Sequence, residues 1–102
     1  MDTGDLSDET YRAILSEAEA FNHDLTIQFG VLSGMCENEE DFIEKSIALI
    51  EEMKSYDEID LDDIFLGNPP ERKAFDKVLQ TILKNIEEVK KIPQEKRNYS
   101  YG

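Results

Sequence analysis

Behind Asn68-Pro69-Pro70-Glu71, apolar residues recur at Phe75, Val78, Leu79, Ile82, Ile86 and Val89, and the pattern stops at Ile92-Pro93. Three-four spacing sustained over so many turns describes a helix with one apolar face. The flanks agree. Asn68 can cap, proline is tolerated in a first turn, and Glu71 can reach back to the start. Lys90 and Lys91 suit the negative end of the dipole, and Asp76 falls on the opposite face. This predicts a helix over 69–92. Such a helix gains most of its stability by laying its stripe on something else, so the remaining residues must supply a complementary apolar surface.

They do so in shorter helical stretches. Ser7 can cap a helix over 8–22, with Asp8 and Glu9 in its first turn, Leu6 placed to staple onto Tyr11, and Tyr11, Ile14, Leu15, Ala18 and Phe21 along one face. Asn38 can cap a helix over 39–55 that carries Phe42, Ile43, Ile47, Ile50 and Met53. Asp60 reads as the cap of a short helix over 61–66, closed by Gly67 at C′. Residues 25–36 fit two patterns. Leu25, Ile27, Phe29 and Val31 alternate as in a strand, while Leu25, Phe29, Leu32 and Cys36 share a helical face. Nothing else in the chain alternates over five residues to pair with a strand, which favours the helix despite Gly30 and Gly34. As a helix, it would hold those glycines four apart on one face, where another helix could approach closely. The expected fold is all-α, an irregular bundle of four to five helices. An α+β fold with 25–32 as a strand is the alternative. Short connections favour antiparallel neighbours. Length allows one domain, 1–92, with 1–5 frayed and 93–102 a basic, aromatic C-terminal tail that either frays or lies on the protein's own acidic surface.

Apolar residues make up 39% of the chain and charged ones 34%, so the core is modest and the charge pattern carries much of the information. Residues 1–70 hold 19 Asp and Glu against three bases, a balance of −16, whereas residues 71–102 hold five acids against eight bases, a balance of +3. A body polarised this way repels nucleic acid and anionic membrane and attracts basic partners. Cys36 is the single cysteine, and the first residues lack the basic and apolar segments of a secretory signal. These features lead us to expect a cytoplasmic protein. No apolar run approaches the roughly 20 residues that span a bilayer.

Several segments suggest chemistry until their registers are checked. Asp63-Ile64-Phe65-Leu66-Gly67-Asn68-Pro69-Pro70 resembles the loop of amino-directed nucleic-acid methyltransferases, in which Asn-Pro-Pro-aromatic holds the target amine. The resemblance ends at Glu71, which stands where the base-stacking aromatic belongs, and no Gly-rich cofactor loop lies upstream. A helix start explains the same residues. Asp57, Glu58, Asp60, Asp62 and Asp63 suggest a calcium loop, but a loop begun at Glu58 puts Asp63 where glycine is needed and Pro69 where a bidentate glutamate belongs. One histidine, His23, is too few for the paired motifs of di-iron bundles or a His-rich zinc site. Cys36 reads as a small core residue, without a base or oxyanion device beside it. No cofactor is expected.

The leading expectation is therefore a non-enzymatic adaptor, inhibitor or immunity-type protein that uses an acidic surface, with Asp57, Glu58, Asp60, Asp62 and Asp63 as candidate contacts, to hold a protein with a basic surface. Lys96, Arg97, Tyr99 and Tyr101 are candidate tail contacts, since bases beside aromatics can also engage single strands. The nearby acidic body disfavours nucleic acid as the partner. A self-associating helical module, a homodimer through the Gly30/Gly34 face, is one alternative. A small enzyme or metal-binding domain is another.

Overall fold

The computed structural model describes residues 1–99, and among them five helices and no strand form an all-α bundle. We label them α1 (8–21), α2 (His23–Gly34), α3 (Glu39–Lys54), α4 (Glu58–Ile64) and α5 (Arg72–Lys90). Short 3-10 turns at Thr3–Asp5 and Gln94–Lys96 flank the bundle. Helix α5 is buried along Phe75, Val78, Leu79, Ile82, Ile86 and Val89, the stripe evident in the sequence. It packs on α1 and α3, while α2 packs on α1, α3 and α4. The body measures 41 × 22 × 21 Å.

Residues 25–36 are helical through Gly34 rather than extended. In this conformation Leu25, Phe29 and Cys36 enter the core together, which a lone strand with no pairing edge could not achieve while satisfying its backbone. Helix α2 starts two residues before the expected position because Asn22, not Asp24, is the cap. The Asn22 side-chain oxygen accepts the Asp24 N–H at 2.8 Å, leaving Asp24 in the first turn to face the dipole.

The starts of α4 and α5 also differ from the sequence expectation. Asp57 caps α4 in place of Asp60, accepting the Asp60 N–H at 2.9 Å, and Asp60 returns the bond from the Asp57 N–H at 3.2 Å. This reciprocal box gains one turn of helix over the 61–66 expectation. Helix α5 starts at Arg72 instead of 69, and Asn68 is not its cap. Each residue before a proline is pushed out of the α region, so Asn68 and Pro69 stay non-helical, and Glu71 remains extended (φ −60°, ψ 137°). Helix α4 ends at Ile64, two residues before the expected end at Leu66. Leu66, 81% exposed, takes the left-handed conformation (φ 53°), and the Gly67 N–H reaches back to the Asp62 carbonyl at 2.8 Å.

Two features tie the helices together. Phe75 packs edge-on to Phe65 with ring centroids 5.6 Å apart and lies 6.3 Å from Phe21, so the ends of α1 and α4 meet at the start of α5. Within α1, Arg12–Ser16 forms a π-helical segment, and the Asn85 amide of α5 donates to the Ala13 carbonyl there at 3.3 Å. A widened turn frees main-chain acceptors, and Asn85 satisfies one of them across the helix interface.

Candidate functional site

A cleft of about 480 Å³ opens beside the acidic segment, between the start of α4 and the link into α5. Its walls are Tyr56, Leu61, Pro69 and Pro70, with Asp57, Glu58, Asp62 and Arg72 around them. The capping box fixes Asp57 at the mouth, one helical step places Glu58 beside it, and Asp62 follows one turn later on the same side. The two prolines hold the opposite wall extended. Burial, followed by the negative field of Glu52 and Asp60, pushes the Tyr56 phenol above its ordinary value.

Arg72 brings the one positive charge among these lining residues, and its donors are already engaged. The guanidinium donates to the Tyr56 carbonyl at 2.5 Å and the Lys54 carbonyl at 2.7 Å, and it lies 3.2 Å from Asp76. It thereby caps the last carbonyl of α3 and one in the turn that follows it. What remains open in the cleft is the Glu58 and Asp62 carboxylates and the second oxygen of Asp57, over an apolar floor.

Of the five acids marked in the sequence, Asp57, Glu58 and Asp62 therefore share the cleft. Asp60 is exposed and spends a carboxylate oxygen on the Asp57 N–H, while Asp63 is exposed outside the cleft lining. Of the four tail residues, Lys96 is exposed at the end of the 3-10 turn. Tyr101 lies outside the described residues.

Arg97 and Tyr99 belong to a second, closed constellation. The Arg97 side chain is 4% exposed and meets the Glu39 side chain, 3% exposed, at 2.6 Å; the same nitrogen lies 2.7 Å from Glu40. Glu39 also accepts the Ser7 N–H at 2.8 Å, the Ser7 hydroxyl at 3.2 Å and the Thr10 hydroxyl at 3.0 Å. Burial works to raise the Glu39 pKa, but the Ser7 amide, Arg97 and the hydroxyls outweigh it and hold the carboxyl below its ordinary value. The Tyr99 hydroxyl is buried beside this carboxylate without closing a well-formed hydrogen bond. Burial and Glu39 push its phenol upward. Asn98 completes the closure, its carbonyl accepting the Asp8 N–H at 2.7 Å and its N–H donating to Glu9 at 2.9 Å. Every polar direction at Glu39 points to another part of the fold, so the cluster is a clasp between the start of α1, the start of α3 and residues 97–99.

In the sequence Glu39 stands out only as the residue that follows the Asn38 cap. Its partner Arg97 is 58 residues away, a pairing without a local signature. A second feature was half legible. Ile27, Val31 and Met35 recur every four residues and are 44%, 61% and 70% exposed, giving α2 an apolar outer face as well as an apolar inner one. A Cβ added at Gly30 or Gly34 would meet nothing within 4 Å, so no other helix among the described residues uses the close approach that these glycines permit.

His23 is exposed at the start of α2, and Cys36 is buried just past its end, donating its thiol to the Leu32 carbonyl at 3.2 Å. Burial, then Asp41, pushes the thiol pKa up, opposite to what a nucleophile needs. Among the described residues no group of three or more His, Cys, Asp or Glu side chains is arranged to hold a metal ion, and no helix is long and apolar enough to cross a membrane. No family model, curated protein or solved structure matches this chain.

Proposed function

We propose that this chain is a non-enzymatic protein-interaction protein that holds a basic segment of another protein, with the cleft between α4 and the Pro69-Pro70 link as the receiving site. The observation that carries this reading is the lining of the cleft: Asp57, Glu58 and Asp62 stand over Tyr56, Leu61, Pro69 and Pro70. A lysine or arginine side chain has the matching construction, an apolar stem ending in a cation. The stem would lie on the proline and tyrosine wall, and the head would meet the carboxylates. The net charge of −13 would raise the encounter rate with such a segment over longer range.

Calorimetric titration with an unstructured lysine- and arginine-rich peptide tests this. Affinity should fall as salt rises through the physiological range, where the screening length shortens to about 8 Å. The double substitution Glu58→Gln with Asp62→Asn spares the Asp57 cap and should weaken binding by about tenfold, two exposed charge contacts of up to about 1 kcal/mol each. Affinity independent of salt, or unchanged in the double variant, would overturn the proposal.

A further inference from the structure

The outer face of α2 departs from ordinary surface chemistry. Helical geometry sends Leu25, Phe29 and Cys36 inward and leaves Ile27, Gly30, Val31 and Gly34 on the far side, with Met35 at the edge. Three well-exposed apolar side chains in a row, beside two glycines whose absent side chains face open space, make a shallow, flat strip. The helix contains no lysine or arginine, and its one carboxylate, Asp24, lies in the first turn. The neighbours differ sharply. The helices that pack directly on α2 carry exposed acids: α1 ends with Glu19, α3 holds Glu40, Glu44, Glu51 and Glu52, and α4 holds Glu58, Asp60, Asp62 and Asp63.

We infer that this strip receives an amphipathic helix whose narrow apolar stripe is bordered by lysine or arginine. Charge complementarity selects that occupant. A second copy of this chain would bring its own acidic flanks against these, with a net charge of −13 on each molecule. A basic amphipathic helix instead brings cations toward the acids of the neighbouring helices while its stripe covers Ile27, Val31 and Met35. Gly30 and Gly34 let its backbone approach closely, the arrangement in which an apolar helix face lies in a groove. The inference rests on the basic-partner reading above and adds a fold requirement that the cleft alone does not impose.

The test uses the full chain and three synthetic peptides: a leucine-lysine amphipathic helix, a scrambled isomer of the same composition, and a leucine-glutamate helix of the same pattern. The leucine-lysine helix should bind at least about tenfold tighter than its scrambled isomer, equivalent to about 1.4 kcal/mol. Val31→Glu, at an exposed position, should erase that difference while leaving circular dichroism and residual binding of the scrambled peptide unchanged. Amide shifts on titration should centre on residues 27–35. Equal binding of helix and scramble, or equal binding of the leucine-glutamate helix, would overturn the inference. So would concentration-dependent self-association abolished by Val31→Glu, which would make a second copy the occupant. The cleft reading fails separately, when the scrambled basic peptide does not bind or is indifferent to the Glu58→Gln/Asp62→Asn pair.

Discussion

Ser46 sits in the middle of α3, fully buried, and its hydroxyl has no hydrogen-bond partner among the described residues. An unsatisfied buried hydroxyl costs about 1–3 kcal/mol, whereas alanine at the same place keeps the Cβ and raises helix propensity. Ser46→Ala should therefore stabilise the protein by about 1 kcal/mol, seen as a higher urea midpoint with unchanged slope. A lowered midpoint would show that the hydroxyl is satisfied in solution. Leu66 is a second local conflict, since a branched side chain in the left-handed region carries backbone strain that a glycine would not. The glycine comes one residue later: Gly67 is also left-handed (φ 80°), and its N–H closes α4 on the Asp62 carbonyl.

At the scale of elements, α2 and α5 form opposite cases. Helix α5 has a single apolar stripe, and its residues fall where that stripe says they should. Helix α2 is apolar on two sides, so periodicity alone left helix and strand competing, and only the packing shows which apolar set is inside. The same helix carries an intrinsic weakness that its packing does not explain. Gly34→Ala adds a Cβ that meets nothing within 4 Å, in a helical residue with no positive φ. It should raise stability by about 0.5–1 kcal/mol through helix propensity and a less disordered unfolded chain. Thermal melts of wild type and variant decide this. If the glycine serves a docking helix, the same substitution should weaken the leucine-lysine peptide while strengthening the fold.

For the whole molecule, the clasp at Glu39 is the device that closes the fold. It joins Ser7 and Thr10, the start of α3, and Arg97. Breaking one side of such a buried pair strands the other, at about 3–5 kcal/mol. Glu39→Gln should lower stability at pH 7 by about 3 kcal/mol. The pH dependence has a definite sign. Because the folded-state pKa of Glu39 lies below the ordinary 4.5, its contribution is fully present above that value and is lost as pH falls through the lowered folded value. Urea midpoints of wild type should therefore drop through the acid range, and the Gln variant should show a shallower drop. Parallel curves would remove Glu39 from acid unfolding. The same contacts account for residues 97–99, whose basic and aromatic composition reads in isolation as a tail.

What the amino-acid sequence determined by itself is the set of helices and the sign of the surface. Period, caps and charge are local or additive properties, and Ser7, Asn38 and the Phe75–Val89 stripe express them within a few residues of one another. Helix starts at 57–58 and 71–72 needed more, because Asp57 and Asp60 can each cap and two adjacent prolines can each open a helix, with competing energies of about 1 kcal/mol. Tertiary structure alone decided which acids gather at the cleft, which side of α2 faces water, and that Glu39 meets Arg97. Those outcomes depend on chain segments far apart in sequence whose mutual burial settles the choice. Buried charge in particular is stable only when several distant groups converge to satisfy it.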